Sequence, residues 1–519
     1  MVQSSPPAAS GAGVSLSDDR SAGRTARSIL VLVLLVVACK IALALLAPVI
    51  CQEAYYSEYA AHPALSYFDH PPMTAWSIWL GRRIFGFNVL GLRAATLVFS
   101  TGTALLGLLL LRWLRCNDRG QRIWLLASIA VPAASFPGLL AMTEAPLLFF
   151  WTLTLVALWR AREGQLRWWL LAGLGAGGAL LSKYPAAFLL PAGILVFLFD
   201  ARMRRQLLRP GPWLAVLVAG LLFLPVVYWN AQHDWASFVF QTKQRYDEDH
   251  ATLHWPLQLL GGQILTLTPV VFACILLATL RSLRDWRRDV SARWLLAFGL
   301  PLPLFMISQS PWVHVKLNWL LPGYVGLGLA TVLWWSRPGT AERYPRLRRS
   351  GRAVAMATLV LTFVAAPLAH ILPWSWGNTW TGWGKIATRV DYWRNQLQHE
   401  AERKPGASVF YAVWSYKNAS SLAYVLRKRG DYGRAPLLTR NVFGEGALEY
   451  DYWTQPNQLI GQDAVLVIRA RPKRHDPSVL ERVRKHFRHV ELAEDVVVER
   501  LGWTVQKAAI WICRDYQGA

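Results

Sequence analysis

Between two strongly apolar segments, the stretch from Cys51 to Pro72 concentrates Glu53, Glu58, His62, Asp69 and His70. Carboxylates that close to a bilayer need water, a partner or a task to keep them there. Pro71 and Pro72 cannot continue a helix and bias the residue before them to an extended shape, so Asp69 and His70 sit at a forced break in the backbone. Such a break aims its side chains where the scaffold dictates, which makes this stretch a candidate active-site loop. A wetted juxtamembrane helix ending at a proline turn would have the same composition.

Three further polar residues stand where apolar segments end. Glu144, in Met142-Thr143-Glu144-Ala145-Pro146, has almost no loop around it, a costly setting unless the acid faces a cavity or a partner. Lys183 precedes Tyr184-Pro185, and Lys316 lies in His314-Val315-Lys316-Leu317-Asn318-Trp319. Ammonium groups bind phosphate as point charges, so two lysines at one membrane face suit a lipid phosphate; ordinary interfacial anchoring is the alternative. The polar stretch Gln241–Trp255 carries an Asp247-Glu248-Asp249-His250 run without recurring ligand spacing, which reads as a solvated loop able to close over a substrate rather than as a metal site.

The elements that must position these residues are membrane spans. The 519 residues are 54% hydrophobic and 17% charged, with 27 Trp, against the roughly 45–50% apolar share of soluble domains. A soluble multidomain protein is thereby excluded. The formal net charge of +24 is carried by arginine clusters between apolar runs, the pattern of positive-inside topology and not of a nucleic-acid partner. The five cysteines are odd in number and lack C-x-x-C spacing, so neither a disulfide framework nor a zinc site is indicated.

Residues 1–27 are too polar and featureless to bury a core and are expected to be a disordered cytoplasmic terminus. A first, uncleaved span from 28 to 50, followed by apolar segments at 90–111, 123–140, 145–159, 168–182, 184–199, 213–230, 258–280, 294–308, 317–335 and 353–372, predicts about eleven transmembrane helices over residues 28–372. Arginine clusters fall in alternate connections, so the 51–88 loop, Glu144, Lys183 and Lys316 share the opposite, non-cytoplasmic face. Residues 373–519 have the composition of a small α/β domain on that same side, with strands at 408–413, 463–468 and 508–513 and helices at 418–429 and 478–486. The tryptophans between Pro373 and Trp383 read as an interfacial belt, with sugar stacking the alternative.

The chain resembles the bacterial branch of the family 39 and 83 glycosyltransferases at Glu53-Ala54-Tyr55-Tyr56, Tyr67-Phe68-Asp69-His70-Pro71-Pro72-Met73, Thr143-Glu144-Ala145-Pro146 and Ser182-Lys183-Tyr184. Lys316-Leu317-Asn318-Trp319, Gly382-Trp383 and Ser415–Ser420 extend the similarity, which runs from about residue 30 to 455. That group includes protein O-mannosyltransferases, lipid A aminoarabinose transferases and rhizobial galacturonosyltransferases. The resemblance implies a GT-C fold in the inner membrane, a polyprenyl-phosphate sugar donor, a lipid A, glycan or protein acceptor, and inversion at the anomeric carbon. It places Gln52, Tyr56, His70, Glu144, Lys183, Tyr184, Lys316 and Asn318 at the substrates.

In the family the first loop usually opens with an Asp-Glu pair whose aspartate is the base. Here that position is Gln52, an amide that accepts no proton usefully, so the expected base is Asp69 with Glu53 as its partner. Displacing phosphate from a sugar passes through an oxocarbenium-like state, for which two carboxylates and phosphate-facing lysines suffice without metal or cofactor. Two rivals remain: a transporter or flippase of lipid-linked sugars, whose charges would line several spans in depth, and a polyprenyl-phosphate-binding protein without turnover, suggested by Gln52.

Overall fold

A computed structural model describes residues 16–244, 251–375, 377–401, 408–430, 435–470 and 477–519. The chain opens with α1 (Leu16–Leu46), then two short helices, α2 (Cys51–Ala61) and α3 (Met73–Phe85), that enclose the Pro71-Pro72 break. Next come α4 (Val89–Trp113), α5 (Asp118–Ala130), α6 (Pro132–Leu139), α7 (Glu144–Ala161), α8 (Leu166–Ser182) and α9 (Leu189–Phe199). Each apolar segment expected from the sequence is a helix or a helix pair. Residues 16–27, expected to lack structure, instead extend α1; residues 1–15 lie outside the described residues, as do the acidic residues 247–249 and His250.

Among the described residues, six helices are long and apolar enough to cross a membrane, or eight if each bent pair counts as one span, against the eleven or so expected. The bends have a local cause. Pro132 and Pro269 each open the second helix of a pair, and the residue before each leaves the helical region, Val131 at φ −95°, ψ 117° and Thr268 at φ 69°, ψ 147°. The resulting angles are 63° between α5 and α6 and 103° between His254–Leu267 and Pro269–Arg284. A proline clashes with the carbonyl of the preceding turn, so an unbroken apolar run is folded into two helices.

The α3–α4 hairpin closes backbone to backbone, because a Cβ on Gly81 would overlap the Gly91 carbonyl. Asn88 caps α4 by accepting from Gly91 N at 2.9 Å. On α3 Trp79, Leu80, Ile84 and Phe85 are exposed while Ala75 and Ile78 are buried, the one-sided pattern of a helix lying at a membrane interface.

The C-terminal domain is a five-stranded sheet of β1 (Val409–Val413), β2 (Leu437–Leu438), β3 (Asp463–Ala470), β4 (Phe487–Arg500) and β5 (Trp503–Tyr516), in the order β2-β1-β3-β5-β4. The first three strands run parallel and β5 pairs antiparallel with both neighbours. The expected strands at 408–413 and 463–468 correspond to β1 and β3, and 508–513 is the middle of β5. Strand β4 was not expected: as an edge strand its exposed positions carry Arg488, Glu491 and Glu499, which dilute the apolar alternation. Leu501 and Gly502, at φ 48° and 78°, make the two-residue turn between β4 and β5. The helix Trp383–Ala401 was also unexpected; it buries Trp383, Ile386, Val390 and Leu397 in the domain core. Of the expected aromatic belt, Trp374 is exposed and Trp383 is buried.

Helix α2 is where the two halves meet. Tyr55, Tyr59 and Tyr67 share one apolar cluster with Val390, Leu422 and Tyr450 of the C-terminal domain, so the loop is sandwiched rather than left hanging from the bundle.

Candidate active site

Burying α2 forces every one of its polar groups to find a partner, and the three nearby carboxylates solve this in three ways. Glu53 is fully buried and accepts from Arg93 Nε at 2.7 Å and Nη2 at 2.5 Å, from Ala141 N at 2.8 Å and from Ile50 N at 3.3 Å. Arg93 also donates to the carbonyls of Ala44, Ala47 and Pro48 at the end of α1. Glu58 takes a bidentate pair from Arg427 of the C-terminal domain, at 3.0 and 3.1 Å. One acid thus ties the loop to the bundle and the other ties it to the domain.

Asp69 is held differently. Its Oδ1 accepts from the hydroxyls of Tyr55, at 3.2 Å, and Tyr59, while its carbonyl accepts from Gln241 Nε2 at 2.9 Å. Tyr67 stacks on Tyr59 with ring centroids 4.1 Å apart and donates to Tyr59 O at 2.9 Å, fixing the turn before Asp69. The proline break therefore delivers Asp69 into a tyrosine cage. The expected pairing of Glu53 with Asp69 is not found, because the four donors on Glu53 leave its oxygens committed to Arg93 and two backbone amides.

On the bundle side, Glu144 at the start of α7 is buried and accepts from Lys183 Nζ and Asn318 Nδ2, both on Oε1 at 2.5 Å. Three residues far apart in sequence thus converge as one cluster. Tyr56 lies between this cluster and Asp69: after desolvation, the nearby charges of Glu144 and then Asp69 raise its phenol well above the usual range, and Thr143 hydrogen-bonds it. His70 meets the Tyr56 ring edge-on, centroids 5.7 Å apart, with its Nε2 3.9 Å from Asp69 Oδ2. Tyr184 packs beside Phe238 and has Ser66, Asn230 and Ser237 around its hydroxyl. Gln52 is half-buried and accepts from Cys51 Sγ at 2.9 Å, and Lys316 is exposed, two positions before Asn318 of the Glu144 cluster.

Removing one partner of a buried ion pair strands the other charge, at a typical cost of about 3–5 kcal/mol. Lys183→Met is therefore expected to lower stability by about that much, and adding Glu144→Gln should restore part of it. Thermal unfolding of the single and double variants in detergent checks this; a double variant no better than the single would show that the pair is not coupled.

Sequence reasoning missed three residues here. Arg93 had a signal, a lone arginine inside an otherwise apolar span. Arg427 and Glu449 had none. Glu449 is almost fully buried, and its Oε2 accepts from Phe68 N at 2.5 Å, beside the Asp69 turn. Burial pushes its carboxyl well above the usual range against the pull of the Phe68 amide, and Asp69 and Asp451 add to the rise. Tyr55 bridges the two acids, donating to Asp69 and accepting from Glu449 N at 3.3 Å.

This architecture has known counterparts. Residues 69–229 match the family described as dolichyl-phosphate-mannose-protein mannosyltransferase, a match that begins at Asp69 itself. A lipid A galacturonosyltransferase, RgtD, of Rhizobium johnstonii is 27% identical over 62% of this chain and 66% of its own length. An undecaprenyl phosphate-alpha-4-amino-4-deoxy-L-arabinose arabinosyl transferase of Pseudomonas aeruginosa is 33% identical over 52% of this chain and 50% of its own. The chain thus spans between half and two thirds of the length of these curated relatives. Two structures of ArnT from Cupriavidus metallidurans share the fold: the apo state has TM-score 0.63 and 14% identity, covering 94% of this chain and 98% of that one. The state bound to undecaprenyl phosphate has TM-score 0.59 and 16% identity, over 93% and 97%. The chain is accordingly a multi-pass membrane protein of GT-C fold, and its resemblance to the family 39 and 83 glycosyltransferases is borne out in sequence and in architecture.

Proposed function

We propose that the chain is a glycosyltransferase that moves a sugar from a polyprenyl phosphate to a lipid A, glycan or protein acceptor, with inversion, at the periplasmic face of the bacterial inner membrane. The observation that carries this reading is the convergence, on either side of Tyr56, of the caged Asp69 and the Glu144–Lys183–Asn318 cluster. The acceptor hydroxyl attacks the anomeric carbon as the bond from that carbon to the phosphate oxygen breaks; its proton passes to Asp69, and the polyprenyl phosphate departs. Lys183 gives one N–H to Glu144, and an ammonium has two more with which to meet the departing phosphate. Exposed Lys316 adds a second cation for the carrier at headgroup depth. Glu53 acts through Arg93 as an anchor of the loop rather than at the reacting atoms.

The relatives support the donor and the acceptor class, one being named for lipid A and the other for an undecaprenyl-phosphate aminosugar, and the similarly folded ArnT binds undecaprenyl phosphate. Alternating arginine clusters support the orientation. Right-side-out membrane vesicles given a polyprenyl-phosphate sugar and a membrane-impermeant acceptor analogue should release free carrier, detected by mass. Transfer from a nucleotide sugar in lipid-free conditions, or activity confined to inverted vesicles, would refute the donor or the sidedness.

A further inference from the structure

Away from the Asp69 junction, a cavity of about 510 Å³ lies among α4, α5, α6 and the helices Pro269–Arg284, Leu321–Trp335 and Pro345–Leu368, within the roughly 300–1,000 Å³ range of built ligand sites. Its walls are largely apolar, with Ile123, Ala127, Val271, Val332, Val354 and Ala355 among them. Its charged lining has one sign. Lys40, Arg119, Arg122, Arg348 and Arg352 face it, and no carboxylate does among the described residues.

The four arginines share one end of the bundle. Arg122 Nη2 donates to Ser28 Oγ at 3.0 Å near the start of the α1 span, while at the other end His370 Nε2 lies 2.9 Å from Leu46 O. Midway, Thr358 Oγ1 donates to Ala130 O at 2.7 Å. Helices α1, α5 and Pro345–Leu368 therefore run side by side in the same direction, which brings the first turn of α5, with Arg119 and Arg122, to the level of Arg348 and Arg352. Two other arginines on this face are neutralised, Arg337 by Asp285 and Asp289 and Arg162 by Asp200. Arg119, Arg348 and Arg352 have no ion pair among the described residues, and Arg348 Nε is buried without a hydrogen-bond partner. The outer wall, Pro345–Leu368, buries none of its residues, so one side of the chamber is a single helix at the periphery of the bundle.

Unneutralised guanidinium groups beside an apolar chamber complement a molecule with an anionic head and a hydrocarbon tail. We propose that this cavity binds an anionic phospholipid of the surrounding leaflet, its phosphate among Arg119, Arg122, Arg348 and Arg352 and an acyl chain in the chamber. The four arginines lie at the opposite end of the bundle from the Asp69 loop, while the chamber runs along α4 to Ser100 and reaches Ala145, next to Glu144, so the test reads lipid binding and not sugar transfer.

The test is a titration of the purified full-length chain with phosphatidylglycerol and, separately, phosphatidylcholine, with bound lipid read by native mass spectrometry. The wild type should retain phosphatidylglycerol in preference to phosphatidylcholine. Arg348→Gln with Arg352→Gln should weaken phosphatidylglycerol binding about thirtyfold, as expected for two charges at a membrane surface. Ala355→Phe, which fills the chamber and keeps all four arginines, should weaken it about tenfold by excluding roughly two methylenes. Equal binding of the two lipids, or undiminished phosphatidylglycerol binding in Ala355→Phe, would overturn the proposal; the latter would reduce the arginines to a nonspecific basic surface.

Discussion

Asp69→Asn is expected to lower sugar transfer by about 10²–10⁴-fold, the usual contribution of a positioned general base, while membrane insertion and abundance stay near those of the wild type. The substitution is nearly isosteric, and its amide oxygen still accepts from Tyr55 and Tyr59, so the tyrosine cage keeps its hydrogen bonds. What is lost is the ability to take the acceptor's proton. The Tyr67 stack and the Gln241 contact act on the Asp69 turn through rings and backbone, so they hold the asparagine in the same place. Carrier release measured from a polyprenyl-phosphate sugar decides the point. A variant retaining more than about a tenth of the rate would lie outside the range for a general base and would shift attention to the second buried acid at the junction, Glu449.

Arg93→Met should lower stability further than Lys183→Met does. Its guanidinium joins Glu53 to three carbonyls at the end of α1 in a fully buried setting, so removing it leaves an uncompensated carboxylate and, in addition, unsatisfied backbone acceptors. Breaking such a pair costs about 3–5 kcal/mol, enough to release the loop that carries Asp69. Glu53→Gln should destabilise by a similar mechanism and lose activity with it. The double variant Arg93→Met/Glu53→Gln should cost less than the sum of the two singles, because no charge is then stranded. Thermal unfolding and transfer, measured on the same samples, separate anchoring from chemistry: a Glu53→Gln protein with unchanged stability and abolished transfer would return Glu53 to the reacting atoms.

Much of the architecture was legible along the chain because its causes are local. Span positions follow from runs of apolar residues, and each expected run is helical. The two central strands of the C-terminal sheet, β1 and β3, read as buried apolar stretches, and the Pro71-Pro72 pair announced the break that presents Asp69. Asn318 came only through the family resemblance, whereas Glu144, Lys183 and Lys316 were each singled out from their place at the end of a span. A charge there has few ways of being tolerated, and position alone made them candidates.

What the linear order did not reveal is which charge meets which. Glu53, Glu58 and Asp69 look alike in sequence, three acids in one short loop. Only the folded chain hands the first to Arg93, the second to Arg427 and the third to a cage of tyrosines. Glu449 enters that neighbourhood from a domain 381 residues further on, as its bond to Phe68 records. Hydropathy is a property of a window, so it finds spans; ion pairing in a buried site depends on approach to within about 3 Å, which only tertiary packing sets. For the same reason the proline bends of 63° and 103° were invisible to hydropathy, because an apolar run keeps its composition when it folds back on itself.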